Sequence, residues 1–223
     1  MPSNTRRIRA QRWLQRVLRS RANLLRLLGA VLAGGQSRRF GRDKAREIVA
    51  GESMLHHAVR ALQSVTEEVV VISPYRPDAP QGIEVLPDAQ PGHGPLGGLH
   101  TALLEAAARQ MDAVLLLACD LPLVGEQILE AVVAHTENCA AVAPKRREGV
   151  EPLCAVYSST ALLLVAQRLN GPDLSMHSLF RALDGRELDL SALGLDEGAA
   201  FLNVNTPEDL VRAESLMDRR GPA

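Results

Sequence analysis

Residues 30–45 read AVLAGGQSRRFGRDKA. A short apolar run ends abruptly in Gly34 and Gly35. Arg38, Arg39, a third glycine at 41 and the pair Asp43–Lys44 follow. In an open parallel sheet, a strand that empties into such a loop places it where ligands bind, beyond the carboxyl ends of the strands. Glycine allows close backbone approach and turns peptide N–H groups toward an anion. Ser37 adds a hydroxyl donor, and Arg38, Arg39 and Lys44 add positive charge. Two familiar phosphate loops do not fit. One residue too many separates Gly35 from Gly41 for a P-loop, with Arg42 in the lysine position, and no Gly-x-Gly-x-x-Gly occurs. The glycines alone would suit a plain turn with solvated arginines.

Outward from this loop, short apolar runs alternate with helical patterns. Strands are expected at Ala30–Ala33, Glu68–Ser73, Ile83–Leu86, Ala113–Cys119, Ala140–Ala143, Leu153–Tyr157 and Phe201–Val204. Helices are expected at Ser53–Ser64, Leu96–Arg109, Glu126–His135, Thr160–Leu169, Met176–Leu183 and Pro207–Met217. The last has Thr206 as N-cap, Pro207 in first place and Glu208 and Asp209 in its first turn. Strands joined by crossover helices imply an α/β fold: a single Rossmann-like domain, mostly parallel, with helices on both faces. Runs such as AVLLLAC suit strands buried on both sides. The Pro- and Gly-rich stretches Ser73–Gly82 and Pro87–Gly98 read as loops, the second long enough to bind a ligand.

Composition narrows the function classes. At 223 residues with 46% apolar and 23% charged side chains, the chain has ample material for one core. Aromatics make up only 3%, which argues against stacking platforms for single-stranded nucleic acid. Residues 1–28 carry eight arginines and no acid, whereas residues 29–223 hold 17 cations against 26 anions. An acidic body lacks the basic face that nucleic acid requires, so no such partner is expected. The expected division is an Arg-rich extension over 1–28, disordered or helical, a domain over 29–218 and a tail over 219–223. An amphipathic helix on a membrane is the rival reading of the head, and membrane contact through it is not the expected one. No run approaches a membrane span. Cys119, Cys139 and Cys154 form no CxxC pair and read as reduced core residues of a cytoplasmic protein.

The segment LAGGQSRRFGRDKA resembles the signature Leu-Ala-Gly-Gly-x-Ser-x-Arg-Met-Gly-x-Asp-Lys of the molybdenum cofactor guanylyltransferases, with Phe40 in place of Met. PGHGPLGGL (Pro91–Leu99), LLLACDLPLV (Leu115–Val124), EPLCAVY (Glu151–Tyr157) and FLNVNTPEDL (Phe201–Leu210) are similar to further family segments, in the family's order. The resemblance covers the chain after Leu28 and implies the nucleotide-diphospho-sugar transferase type of sheet.

It also implies the site. Leu32, Ala33, Gly34 and Gly35 would meet the guanine base and neighbouring nucleotide atoms, with Ser37, Arg38 and Arg39 around the phosphates. Lys44 would reach the triphosphate, and Asp88 would contact the nucleotide. Asp120 would hold Mg²⁺, a role suited to a hard ion that takes few protein ligands beside phosphate oxygens. Apart from the resemblance, Asn203 and Asn205 flank Val204 on the last expected strand, and alternation places both on one face, their amides toward the second substrate or the metal shell. Asp88 also fits an ordinary turn, Asp120 a helix N-cap, and the asparagines ordinary capping.

The reaction implied is attack by the terminal phosphate of molybdopterin on the α-phosphorus of GTP. Such chemistry needs positioning and charge neutralisation rather than an enzyme nucleophile. Transient contact with molybdoenzymes or other cofactor-synthesis proteins is a further implied partnership. Three departures stand out. Ile72, Ser73 and Pro74 occupy the region where the family has an asparagine. GESMLHH (residues 51–57) loses a lysine, and Phe40 is bulkier than Met. The rival activities are a cytidylyltransferase of the same cofactor or another nucleotidyltransferase, a non-catalytic molybdopterin carrier or delivery module, and a membrane-surface adaptor. Relatives that use CTP tend to read Leu-Ala-Ala-Gly in the first loop, and LAGG favours guanine because the missing side chain at Gly34 leaves room beside the larger base.

Overall fold

The strand β1 (Leu27–Leu32) is buried along its whole length. Its sequence LLGAVL sends Leu28, Ala30 and Leu32 into one apolar cluster, and Leu27 and Val31 into another on the opposite face. This two-sided burial is why the run does not alternate with polar residues. The computed structural model describes residues 25–34, 44–75, 77–195 and 198–218. The expected Arg-rich head lies almost wholly outside them, except that Leu27 and Leu28 belong to β1.

Around β1 the sheet assembles from β4 (Glu68–Ile72), β5 (Glu84–Leu86), β6 (Ala113–Ala118), β7 (Ala141–Arg146), β8 (Gly149–Val150), β9 (Cys154–Ser158) and β10 (Arg186–Asp189). Their order is β10-β7-β9-β6-β1-β4-β5, with β8 hairpinned onto β7. β1 pairs in parallel with both β4 and β6, and β4 with β5. The sheet is therefore mostly parallel, but β9 runs antiparallel to both β6 and β7. A small separate ribbon joins β2 (Ile48–Val49) to β3 (Glu52–Ser53).

Helices cover both faces. α1 (Met54–Gln63) and α3 (Glu126–Ala134) contribute Leu55, Val59, Leu62, Leu129 and Val132 to one cluster. α2 (Gly94–Ala108), α4 (Leu162–Leu169) and α5 (Met176–Ala182) contribute Leu99, Leu103, Val165 and Phe180 to the other. Leu115, Leu116 and Leu117 are fully buried. Each contributes about 1.5–3 kcal/mol of transfer free energy. α6 (Pro207–Asp218) closes a smaller cluster with Val49, Met54, Leu123 and Val204. Its cap forms as the sequence suggests. Asp209 N–H donates to Thr206 Oγ1 at 3.2 Å, and Thr206 N–H donates to Asp209 Oδ2 at 3.0 Å. No helix among the described residues is long and apolar enough to cross a membrane.

Two expectations need correction. Phe201–Val204 is not a strand, because its backbone joins no ladder; Val204 N–H donates instead to Asp120 O at 2.9 Å. Cys139 is only partly buried, unlike Cys119 and Cys154, although none of the three forms a disulfide. The edge strand β10 was not expected from the sequence. Three of its four residues are exposed, and its charges protect the edge from further pairing.

Candidate active site

The carboxyl ends of β1, β4, β5 and β6 converge on a cleft of about 890 Å³. Hydrogen bonds extend the strands to its rim. Ala33 N–H donates to Ile72 O at 2.9 Å, Cys119 N–H to Leu32 O at 3.1 Å, and Ser73 N–H to Leu86 O at 3.0 Å. The hydroxyl of Ser73, itself buried, then crosses back and donates to Ala33 O at 3.0 Å. Leu32, Ala33 and Gly34 thus form a backbone wall held from both sides. A Cβ on Gly34 would stand 2.9 Å from Pro74 Cδ. The room left by the missing side chain is filled by the Pro74 ring, so it cannot serve as extra space for a larger base.

The opposite wall is the first turn of α2. Pro95 lies in that turn, no side chain caps it, and Gly94, Pro95 and Gly98 line the cleft. The first backbone N–H groups of any helix have no acceptor within it, and its dipole favours anions there. The glycine pair in PGHGPLGGL has a packing cause. A Cβ at Gly98 would meet Leu32 Cδ2 at 2.7 Å, and one at Gly97 would meet Gln90 O at 2.6 Å. Only bare backbone lets this helix start so close to the β1 end.

Two carboxylates reach the cleft from different strands. Asp88 follows β5 and is locked in a turn: its Oδ1 accepts from Gln90 N–H at 2.8 Å and from Thr101 Oγ1 at 3.3 Å. The turn reading of Asp88 is therefore correct, and the same residue lines the cleft. Asp120 follows β6 on the far side of β1 and lines the cleft too. Its carbonyl accepts the Val204 N–H, and that bond draws the segment 203–205 to the rim. Asn205 lines the cleft, and its Nδ2 donates to Asn203 Oδ1 at 2.6 Å. The two asparagines lie together, though not through strand alternation. Asp209 Oδ2 fixes Asn205 by accepting its backbone N–H at 3.0 Å. That N–H is the main cause holding the Asp209 carboxyl below the ordinary carboxylate range.

Lys44 opens a 3₁₀ turn, Lys44–Arg46, whose next residue Ala45 lines the cleft. Only the backbone of Lys44 is described, and Gly35, Ser37, Arg38 and Arg39 lie outside the described residues. The oxygen donors of Asp88, Asp120 and Asn205 suit a hard divalent ion. Among the described residues, no group of three or more His, Cys, Asp or Glu is placed to hold a metal. Mg²⁺, which takes most of its ligands from phosphate and water, would need only one or two of these oxygens.

Four histidine rings, those of His56, His57, His93 and His135, have local partners. Ser53 Oγ lies 2.7 Å from His56 Nδ1, and His57 Nε2 lies 2.8 Å from Val49 O. His93 Nδ1 is 3.2 Å from Gln90 O. His100 on α2 is held below its usual pKa by burial, which outweighs the opposing pull of Asp88. A second hollow of about 750 Å³ lies apart, lined by Arg46, Ser53, His56, Pro77 and Asp78 among others.

Ser73, Pro74 and Tyr75 are the site residues that sequence reasoning missed. They read as loop, and as the place of a lost asparagine. The available signal was a serine directly after an apolar strand, which gains meaning only once β4 is known to lie beside β1.

Comparison with known proteins agrees with this geometry. The model of the MobA-like NTP transferase domain matches residues 29–186. A protein of Pelotomaculum thermopropionicum named probable molybdenum cofactor guanylyltransferase is 33% identical over 87% of this chain and 95% of its own length. One of Opitutus terrae with the same name is 35% identical over 84% and 95%. Among solved structures, molybdopterin-guanine dinucleotide biosynthesis protein A of Archaeoglobus fulgidus superposes with a TM-score of 0.70 at 25% identity, covering 86% of this chain and 99% of that one. A 2-C-methyl-D-erythritol 4-phosphate cytidylyltransferase of Thermus thermophilus shares the fold, with a TM-score of 0.62 at 20% identity over 85% and 98%.

Proposed function

The chain belongs to the MobA-like NTP transferase family and is a nucleotidyltransferase, and from that premise we propose that it transfers GMP from GTP to the terminal phosphate of molybdopterin. A phosphate oxygen of molybdopterin attacks the α-phosphorus of GTP. The bond from that phosphorus to the bridging oxygen of the β-phosphate breaks, and pyrophosphate leaves with the bonding pair. The products are the guanine dinucleotide cofactor and pyrophosphate. Relatives named molybdenum cofactor guanylyltransferase support this choice of substrates.

The observation that carries the reading is the convergence of the Leu32–Gly34 backbone, Asp88, Asp120 and Asn205 on one cleft at the carboxyl ends of the strands. The β1 wall and the α2 N-terminus face a nucleotide with polarised backbone. Asp120 would hold a Mg²⁺ that neutralises triphosphate charge as the leaving group departs. Lys44 supplies a flexible point charge to the phosphates. Asn203 and Asn205 present amides, on the Asp120 side, to the second substrate. The attacking phosphate monoester is already anionic near neutral pH, so the residues need only align it and offset charge.

The test is a reaction of the purified full chain with molybdopterin, Mg²⁺ and either GTP or CTP, followed by pyrophosphate release and by chromatography of the dinucleotide. Guanine dinucleotide formation that requires Mg²⁺ is the expected result. Faster turnover of CTP would transfer the chain to the cytidylyl reading, and molybdopterin binding without pyrophosphate release would make it a carrier.

A further inference from the structure

Among the described residues, the buried aliphatic hydroxyls are those of Thr66, Ser73 and Thr101. A hydroxyl out of reach of water needs partners, so each marks a place where the fold ties itself together. Thr66, just before β4, donates to Leu62 O at 2.9 Å, four residues back. Ser73 holds the β1 wall of the cleft. Thr101, on α2 and 7% exposed, ties the opposite wall. Its Oγ1 accepts the backbone N–H of Ala89 at 2.9 Å and reaches Gly97 O at 3.0 Å and Asp88 Oδ1 at 3.3 Å. A hydroxyl has one proton, so these two acceptors share it while a lone pair takes the Ala89 N–H. The bond to Gly97 O, four residues back, is a habit of threonine in helices. The bond to Ala89 is not, because it crosses to the connection between β5 and α2.

That connection is wrapped onto the helix. Asp88 Oδ1 accepts Gln90 N–H at 2.8 Å, and His93 N–H donates to Gln90 O at 3.3 Å. A Cβ at Gly97 would stand 3.1 Å from Asp88 Oδ2, so the carboxylate lies against bare helix backbone. Asp88 and the first turn of α2 both line the cleft, whereas Thr101 is buried behind them.

We infer that Thr101 is a positioning residue for nucleotide binding that acts through Asp88, its hydroxyl holding the Asp88–Ala89 segment against α2 so that the carboxylate meets the nucleotide in a set orientation. This rests on the proposed use of GTP and on Asp88 as a contact of that nucleotide. An ionised carboxylate only accepts hydrogen bonds, so the groups it meets would be N–H or O–H donors. Without the Thr101 hydroxyl, Ala89 N–H loses its partner and Asp88 Oδ1 loses one of its two donors. The carboxylate is then free to turn. Thr101 does not touch the reacting phosphorus, so its loss should appear in KM and not in kcat.

The experiment compares wild type, Thr101→Ser, Thr101→Val, Thr101→Ala, Asp88→Ala and the double variant Thr101→Val with Asp88→Ala, each checked by thermal melting. Calorimetry measures GTP binding with Mg²⁺, and steady-state kinetics measure pyrophosphate release with molybdopterin. Thr101→Val should raise Kd and KM for GTP about tenfold and leave kcat within about twofold. Thr101→Ala should do the same, and it carries the test if valine disturbs folding. Thr101→Ser keeps the hydroxyl and should stay within about twofold of wild type. Asp88→Ala should weaken GTP at least as much as Thr101→Val does. In that background Thr101→Val should add less than about twofold, because the residue through which it acts is gone. A hydroxyl that only stabilises the fold would weaken GTP by the same factor with or without Asp88. That outcome would overturn the inference and leave the proposed function standing, as would GTP affinity unchanged by loss of the hydroxyl or by Asp88→Ala. Absence of GTP binding by wild type would overturn the proposed function and this inference with it.

Discussion

The same parallel strands end in two different ways. At their amino ends the charges are spent on one another. Arg109, at the end of α2, donates through Nη1 to Glu68 at 2.9 Å, through Nη2 to Glu84 at 2.6 Å and through Nε to Glu105 at 2.7 Å. Arg26 N–H donates to Asp112 at 2.8 Å, and Arg26 Nη2 donates to Arg109 O at 3.2 Å. Burial pulls the guanidinium of Arg109 toward losing its proton, but the three carboxylate hydrogen bonds win and raise its pKa. At the carboxyl ends, Asp88, Asp120 and Asn205 border a cleft with bare backbone beside them. One helix, α2, connects the two ends, with its glycine-rich start at the cleft and its arginine at the staple. The contrast separates charge used to hold strands together from charge presented to a ligand.

Substitutions at the two ends should therefore differ in kind. Asp120→Ala carries the largest expected effect. Pyrophosphate release should fall by about 100-fold or more through loss of charge stabilisation in the transition state. The melting temperature should move little, and a comparable loss of stability would erase the distinction between the ends. Ser73→Ala sharpens it from the cleft side. Removing the hydroxyl that holds Ala33 O should lower kcat/KM for GTP about tenfold, as expected when a support residue loosens a positioned site. Unchanged kinetics in that variant would remove Ser73 from the construction of the wall.

Arg109→Ala is the mirror experiment. Its three partners are partly in water, so the staple is worth about 1–2 kcal/mol, discounted for screening. The melting temperature should drop by about 2–4 °C per kcal/mol, with kcat/KM unchanged below the melting range. The smallest effect concerns acid. The carboxyl of Asp209 is lowered mainly by the Asn205 N–H, so its contribution is fully present above the ordinary carboxylate pKa. That contribution is lost as pH falls through the lowered value of the folded state. Wild type and Asp209→Asn should therefore differ in stability at neutral pH and converge in strong acid, as followed by chemical denaturation. A difference that grows on acidification would contradict the sign.

Much of the layout was legible because two-sided burial leaves a plain mark. LLGAVL and AVLLLA are uninterrupted apolar runs, and both became central strands. The edge strand RELD carried no such mark, since only Leu188 is buried. Phe201–Val204 was misread for the opposite reason. It is apolar because Phe201 and Val204 pack, yet its backbone joins no ladder and the Val204 N–H donates to Asp120 O. At the site, Asp88, Asp120 and Gly34 were singled out by the family resemblance, and each follows a strand whose end borders the cleft. Ser73 could not be singled out, because its bond to Ala33 O depends on which strand lies beside β4, and no local pattern states that. Gly34 lines the cleft, but the space left by its missing side chain is taken by a proline forty residues downstream.

The most direct measurement is a crystal structure of the full chain with GTP, or a non-hydrolysable analogue, and Mg²⁺. The expected density has the base beside Leu32–Gly34, with the metal and triphosphate on the Asp120 side of the same cleft. A nucleotide seated instead in the hollow of Arg46, His56 and Asp78, or an ordered metal far from Asp120, would contradict the assignment of the carboxyl ends as the catalytic end of this sheet.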